Sequence, residues 1–311
     1  MRNEMDKDIQ KLRSKLSVSH PKDAPLFCES IPDNLRVVSR QYELHNIHSF
    51  HNLRIAFICH GWSETFQEDV VVKMIPPYLS TYASESAGYK RLSNDYMCPV
   101  LAFEDSLNTL ILPKLMSPGD AGGEPSGMDG LLAAVGNETI PYINNKDGTP
   151  TYEDIYQQTV EMAGSHASYM NMKDRDFPTA ACSQLWEQYF SRSPLYISHG
   201  DIHTGNLLRD RNGRLLAIDP LAYASPYPFR FTRYILVPSL FDHHNIKDLD
   251  ARFQHALQYC HGCTEEELRQ AIVIDCHFLM ASLLVQSDRH DFIRDNVIPL
   301  MHTVFNHFST Q

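Results

Sequence analysis

The chain has 311 residues, 43% of them hydrophobic, which is ample for one bilobal domain or two domains with packed cores. Its formal net charge of -11 argues against nucleic acid and anionic membranes as partners and is compatible with a cationic small molecule. No uninterrupted apolar stretch reads as long enough to span a bilayer, MRNEMDKDIQKLRSKL at the start lacks the apolar core of a signal peptide, and seven irregularly spaced cysteines, an odd number, predict free thiols in a reducing cytoplasm.

Residues 1–35 predict a short amphipathic helix, from Ile9, Leu12 and Leu16 at helical spacing, and then an extended lead-in where Pro21, Pro25 and Pro32 break regularity. Residues 36–115 predict a small, mostly antiparallel β unit. The segment Leu44–Asn52 reads as a loop without glycine. Its His45, His48 and His51 read as solvated, since no Cys or carboxylate completes a ligand set nearby. Leu53–Ile58 reads as a strand and His60-Gly61-Trp62 as the start of a polar turn. Val70–Ile75 is a β-branched strand with Lys73 inside its apolar run, and a lysine there is costly to bury without an anionic partner. Ser84–Leu92 reads as a helix with Glu85 near its start, and Val100–Phe103 with Thr109–Leu112 as a hairpin.

Residues 116–311 predict a larger, mainly helical unit. It opens with a Gly-, Pro- and Asp-rich loop over 117–150, interrupted by a short helix at Met128–Val135. Thr151-Tyr152-Glu153-Asp154 reads as a capping box with Asp in the usual Glu position, starting a helix toward Met170. A helix at Thr179–Tyr189 follows. Beyond the central stretch described next, Tyr223–Phe231 predicts aromatic-rich turns, and further helices are expected near Thr232–Leu240, Leu249–Tyr259, Glu265–Ser287 and Phe292–Phe308. Cys260-His261-Gly262-Cys263 has no second pair at zinc-site spacing and reads as thiols.

The densest pattern is YISHGDIHTGNLLRDRNGRLLAIDP, from Tyr196 to Pro220. Leu207-Leu208 and Leu215–Ile218 predict two strands joined by a turn carrying Asn212-Gly213. Asp201 and Asn206 then lie on a loop between strands, and Asp219 ends the hairpin. The chain contains neither a Gly-x-x-x-x-Gly-Lys-Ser/Thr phosphate loop nor a Gly-x-Ser-x-Gly elbow.

His199-Gly200-Asp201-Ile202-His203-Thr204-Gly205-Asn206 and Ile218-Asp219-Pro220 resemble the H-G-D-x-H-x-G-N and I-D-P motifs of the aminoglycoside phosphotransferase and choline kinase superfamily, in look closest to its streptomycin and hydroxyurea kinase branch. Thr204 stands where that motif usually has Pro. The resemblance implies an α+β, bilobal protein-kinase-like fold, with a small antiparallel β N-lobe and a larger, mainly α-helical C-lobe. It implies a cytoplasmic, ATP- or GTP-dependent kinase with Mg²⁺, acting on a hydroxyl of a small molecule, first of all an aminoglycoside-type antibiotic. A protein kinase and a non-catalytic kinase-shaped module are the alternatives. By the same resemblance Asp201 engages the acceptor hydroxyl, Asn206 and Asp219 hold Mg²⁺, and Lys73, oriented by Glu85, meets the nucleotide phosphates. Backbone groups near Leu112 to Leu115 bond adenine, and His203, Asp242, Asp288, Asp291 and Asp295 are candidates for contact with a cationic acceptor.

Overall fold

The computed structural model describes residues 2–51, 53–79, 81–117, 125–143, 149–166, 179–240, 246–286 and 292–308. The chain divides into two compact units, Met1–Pro118 with Leu208–Ile218, and Gly119–Leu207 with Asp219–Gln311.

The first unit is built on an antiparallel sheet of five strands in the order β1-β2-β3-β5-β4: β1 (Leu44–Ser49), β2 (Phe57–Ser63), β3 (Glu68–Met74), β4 (Ala102–Glu104) and β5 (Thr109–Pro113). Side chains alternate between its faces, as the strand period of two requires. Phe57, Cys59, Val70, Val72, Met74 and Ile111 join one apolar core with α1 (Arg2–Ser19) and α2 (Asp23–Gln41). The helices contribute Ile9, Leu12 and Leu16, and Phe27, Ile31, Leu35 and Val38. The opposite face carries the register row Ile58, Lys73, Leu110 and, two residues along, His60, Val71, Leu112. Helix α3 (Thr81–Arg91) follows β3.

A hairpin of β7 (Leu207–Arg209) and β8 (Leu215–Ala217) belongs mostly to the same unit. Its turn is closed by the Asp210 carboxylate, which accepts from the Asn212 and Arg214 amides at 2.9 and 2.8 Å, and by Gly213 at φ 80. Ala217 pairs with Tyr96 and Cys98 through backbone bonds of 2.7 and 2.9 Å, and Arg209 with Met116 through two of 2.8 Å.

The second unit is mainly helical: α4 (Met128–Asn137), α5 (Tyr152–His166), α6 (Thr179–Tyr189), α7 (Phe229–Ser239), α8 (Ile246–Leu257), α9 (Glu265–Gln286) and α10 (Ile298–Phe308). A short antiparallel ladder, β6 (Leu195–Ser198) against β9 (Tyr223–Pro226), sits among them. Helix α5 starts with the expected capping box: the Asp154 amide donates to Thr151 Oγ1 at 3.1 Å, and the Thr151 hydroxyl to Asp154 Oδ2 at 2.6 Å. Thr264 and Glu267 form a second box at the start of α9.

Several sequence expectations need correction. The extended lead-in is instead α2, which runs through both Pro25 and Pro32. Pro25 lies in the first turn, where backbone N–H groups have no helical partner to lose, and exposed Pro32 forfeits one internal bond against a continuous apolar stripe. Leu44–Ser49 is a strand rather than a loop, Leu53–Ala56 is not strand, and His60-Gly61-Trp62 lies inside β2. Gly61 fits there because a Cβ would stand 2.6 Å from the His45 carbonyl of the neighbouring strand. Tyr223–Phe231 forms β9 and the start of α7 rather than turns. Cys260 and Cys263 are joined in a disulfide, while Cys28, Cys59, Cys98, Cys182 and Cys276 are buried and form no disulfide. The segment Glu265–Val285 of α9 is long and apolar enough to cross a membrane, and 78% of its most apolar window is buried within the protein. A helix apolar all round is the one its unit packs around.

Replacing Ile31, fully buried in α2, by Ala should lower stability by about 2–4 kcal/mol, whereas Pro32→Ala should raise it, both read from urea denaturation. Buried His277 bonds the Tyr156 hydroxyl at 2.7 Å and the Thr179 hydroxyl at 3.2 Å, and burial pulls its pKa down to about 4. Its unfolded form titrates near 6.5, so the unfolded state binds the proton more readily. Stability should be complete above about pH 6.5 and fall as the pH drops toward 4, by up to about 3 kcal/mol. Denaturation at both ends of that window should show a smaller loss for His277→Gln.

Candidate active site

In the first unit, the Lys73 side chain leaves β3 into a space where only 5% of it is exposed, and Glu85 of α3 meets it with 4% exposure. The ammonium donates to both carboxylate oxygens, each at 2.8 Å. The apolar neighbours that make Lys73 a strand residue are also what make a partner obligatory, because a buried charge without one costs several kcal/mol. On the same sheet face Lys114 Nζ lies 3.1 Å from His60 Nδ1, and the His60 ring stacks on His48 at 5.7 Å between centroids. Leu112 is buried opposite Val71, and Leu115 is half-buried just past β5.

In the second unit, the chain leaves β6 at Ser198 and turns at His199-Gly200-Asp201. Gly200 has φ 77, in the left-handed region, and a Cβ there would stand 2.5 Å from the Tyr223 ring. Both facts require glycine. The return strand is tied to the same turn: the Leu221 and Ala222 amides donate to the His199 carbonyl at 2.8 and 3.2 Å, and the Tyr223 hydroxyl donates to the Gly200 carbonyl at 3.1 Å. Asp219 therefore stands two residues from a bond to the His199 backbone, with its own φ at 59.

Asp201, a quarter exposed, is held from two sides. Asn206 Nδ2 donates to its Oδ2 at 2.9 Å and to its backbone carbonyl at 3.0 Å. His203 Nδ1 accepts from the Gly205 amide at 3.1 Å, which puts the imidazole proton on Nε2, the atom 3.5 Å from Asp201 Oδ2. Burial pushes the Asp201 carboxyl up. The nearby His203 imidazole and the charges of Arg233 and His199 outweigh it and hold the group below the usual carboxylate range. Asp201 is thus an ionised, oriented carboxylate.

Of the residues singled out in the sequence, the structure brings Lys73 to Glu85, and Asp201 to Asn206 and His203. Asp295 is exposed in a π turn before α10, and Asp242, Asp288 and Asp291 lie outside the described residues. Three residues behind the turn carried no local signal. Arg233 on α7 is bound to Asp275 on α9, 2.9 Å from Nε to Oδ2, with side chains 6% and 0% exposed. Asp275 also accepts from the Tyr152 and Thr232 hydroxyls at 3.0 and 2.7 Å. Tyr223 is the third. The one available hint is a carboxylate inside the apolar run Ile272-Val273-Ile274-Asp275, which cannot be buried unless something meets it.

The donor set suits magnesium. Both bonds from Asn206 Nδ2 go to Asp201, which leaves its amide Oδ1 as the end able to meet a cation. An amide oxygen joined by a carboxylate such as that of Asp219 would fit Mg²⁺, which takes few hard oxygen donors when phosphates complete its shell. Among the described residues no group of three His, Cys, Asp or Glu side chains is arranged to hold a metal by itself.

No family model matches the sequence, and no curated protein matches it. Solved structures do resemble the fold. An ethanolamine kinase of Plasmodium vivax superposes with a TM-score of 0.62 at 11% identity, covering 92% of this chain and 89% of that one. A choline kinase of Streptococcus pneumoniae does so with 0.62 at 8% identity, covering 89% and 99%. An aminoglycoside phosphotransferase in ternary complex with AMP-PNP and hygromycin B gives 0.60 at 12% identity, covering 89% and 99%. At such identities the likeness is one of fold, and the chain has the α+β, protein-kinase-like fold of these structures.

Because Lys73 and Glu85 are buried as a pair, Glu85→Ala alone should cost about 3–5 kcal/mol by leaving an unpaired buried ammonium, while Lys73→Met with Glu85→Leu should recover most of it. Chemical denaturation of the parent and the two variants measures both numbers. Equal losses in single and double variants would show that the pair is solvated.

Proposed function

We propose that the chain is a small-molecule O-phosphotransferase that moves the terminal phosphate of ATP or GTP to a hydroxyl of a cationic substrate, first of all an aminoglycoside-type antibiotic. The observation that carries this reading is Asp201, ionised below its usual range and oriented by Asn206 and His203. The kinase fold of the solved relatives supports it, as does the bidentate pair of Lys73 with Glu85.

In this reading Asp201 Oδ orients the acceptor hydroxyl and takes its proton as the oxygen–phosphorus bond forms and the bond to the departing diphosphate breaks. His203 Nε2 keeps the carboxylate ionised until then. Lys73, held straight by Glu85, donates to nucleotide phosphate oxygens, and the backbone at Leu112 to Leu115 meets the base. Asn206 Oδ1 and the Asp219 carboxylate would hold the magnesium ion, which neutralises charge on the phosphates when bound.

A protein acceptor is disfavoured by the short path after Asp219: β9 begins at Tyr223 and α7 at Phe229, leaving no long segment to dock a peptide. A second acceptor class, amino alcohols, is favoured by the choline and ethanolamine kinases that share the fold. A mass-shift assay with Mg·ATP and Mg·GTP against streptomycin, other aminoglycosides, choline, ethanolamine and a protein mixture separates these classes. A gain of one phosphate on a small amine supports the proposal. Phosphate appearing only on protein, or on nothing at all, defeats it.

Two variants test the roles. Asp201→Ala should lower kcat by about 10²–10⁴-fold with nucleotide binding nearly unchanged. Asp219→Asn should raise the magnesium concentration needed for half-maximal rate, since a hard cation prefers an anionic oxygen. Superimposed magnesium titrations for parent and Asp219→Asn would remove Asp219 from the ligand set.

A further inference from the structure

The β6–β9 ladder ends at the pair Ser198 and Tyr223, so Gly200 and Asp201 lie beyond its last rung, with Gly200 in a conformation the ladder does not impose. Something else must fix the turn. The Tyr223 hydroxyl donates to the Gly200 carbonyl at 3.1 Å, and Arg233 lies near enough for its charge to act on the same hydroxyl. Arg233 is anchored in turn by Asp275, 2.9 Å from its Nε and 3.3 Å from its NH2. Tyr152 and Thr232 donate to the Asp275 carboxylate, so the anchor itself is fixed.

We propose that Tyr223 is a positioning residue whose hydroxyl fixes the Gly200–Asp201 turn.

A buried ion pair is a poor source of stability, because desolvation offsets most of the attraction and apolar side chains of similar volume would serve as well. Its value lies in direction. Held by Asp275, the guanidinium keeps its charge on Tyr223, and the Tyr223 hydroxyl ties β9 to the turn that carries Asp201. Arg233 also lies close enough for its charge to act on Asp201 directly, alongside His199 and His203. A misplacement of about 1 Å at a reacting group can cost on the order of 10²-fold in rate, which is the scale of effect such a tie controls.

Tyr223→Phe is the sharpest test, because the ring that covers Gly200 stays and only the hydroxyl goes. The rate arm rests on the phosphotransfer reading; the exchange arm does not. With Mg·ATP and its best acceptor from the panel above, or with water where none is found, Tyr223→Phe should lower kcat by about tenfold or more and change the nucleotide KM by less than about twofold. Amide hydrogen exchange over residues 199–206 should quicken while the thermal midpoint moves little. In an Asp201→Asn background the same substitution should cost no further rate, because it acts through that carboxylate. Parental kcat with unchanged exchange in Tyr223→Phe overturns the proposal, and so does an equal fold-loss with and without Asp201. A parent that turns over no Mg·ATP sinks the phosphotransfer reading, while the exchange comparison still decides the role of Tyr223.

Discussion

The helical unit's site depends on one backbone torsion. Gly200 sits at φ 77 with the Tyr223 ring where a Cβ would be, so the chain can reverse there within a single residue. That reversal brings Asp201 to the end of β6, and the return strand then closes on the His199 carbonyl with Asp219 just upstream. A side chain at position 200 would displace the tyrosine, the tyrosine would release the Gly200 carbonyl, and both carboxylates would lose their backbone frame. The motif's glycine is a steric condition for placing two acids, not a source of flexibility.

The sheet unit solves a different problem. Its sheet needs apolar residues on both faces of β3, yet one position must present a cation. Burying Lys73 is tolerable because Glu85 takes both ends of its carboxylate to the ammonium. The pair leaves the lysine stretched and fixed, which reduces the side-chain entropy lost if a phosphate is later bound. The same constraint recurs in the helical unit at Arg233 and Asp275, where two buried charges meet between packed helices. In both units the costly charges sit beside the groups proposed for chemistry, and elsewhere the helices use ordinary local devices such as the Thr151 and Thr264 capping boxes.

Legibility in the sequence followed the range of the forces involved. The turn at Asn212-Gly213, the capping box at Thr151 and the helix Thr179–Tyr189 are set by neighbours within a few residues, and each was readable. Helix α2 was not, because prolines are local signals and the apolar stripe that overrides them, Phe27 to Val38, acts by packing on α1 and the sheet. His60-Gly61-Trp62 resembled a turn for the same reason: the glycine answers to the His45 carbonyl on another strand. In the site, Asp201, Asn206 and Asp219 lie close in sequence and stood out together. Arg233 and Asp275 are 42 residues apart and meet only through the packing of α7 on α9. The Cys260–Cys263 disulfide was missed because an odd cysteine count says nothing about which pair is close.

The contrast between fold and sequence follows from the same physics. Core positions such as Phe57, Val72 or Leu131 ask for apolar volume at the right period, and many side chains supply it with small adjustments of their neighbours. A structure can therefore keep its course while nearly every core residue differs. The positions at the site do not have that freedom. A left-handed turn under an aromatic ring accepts only glycine. A bidentate partner for a buried ammonium must be a carboxylate, and an amide that donates twice to Asp201 while keeping an oxygen free must be Asn or Gln of the right length. Fold likeness at low identity is thus what is expected when geometry is specified by volume and function by particular atoms, and the atoms that specify function here are those of Asp201 and its partners.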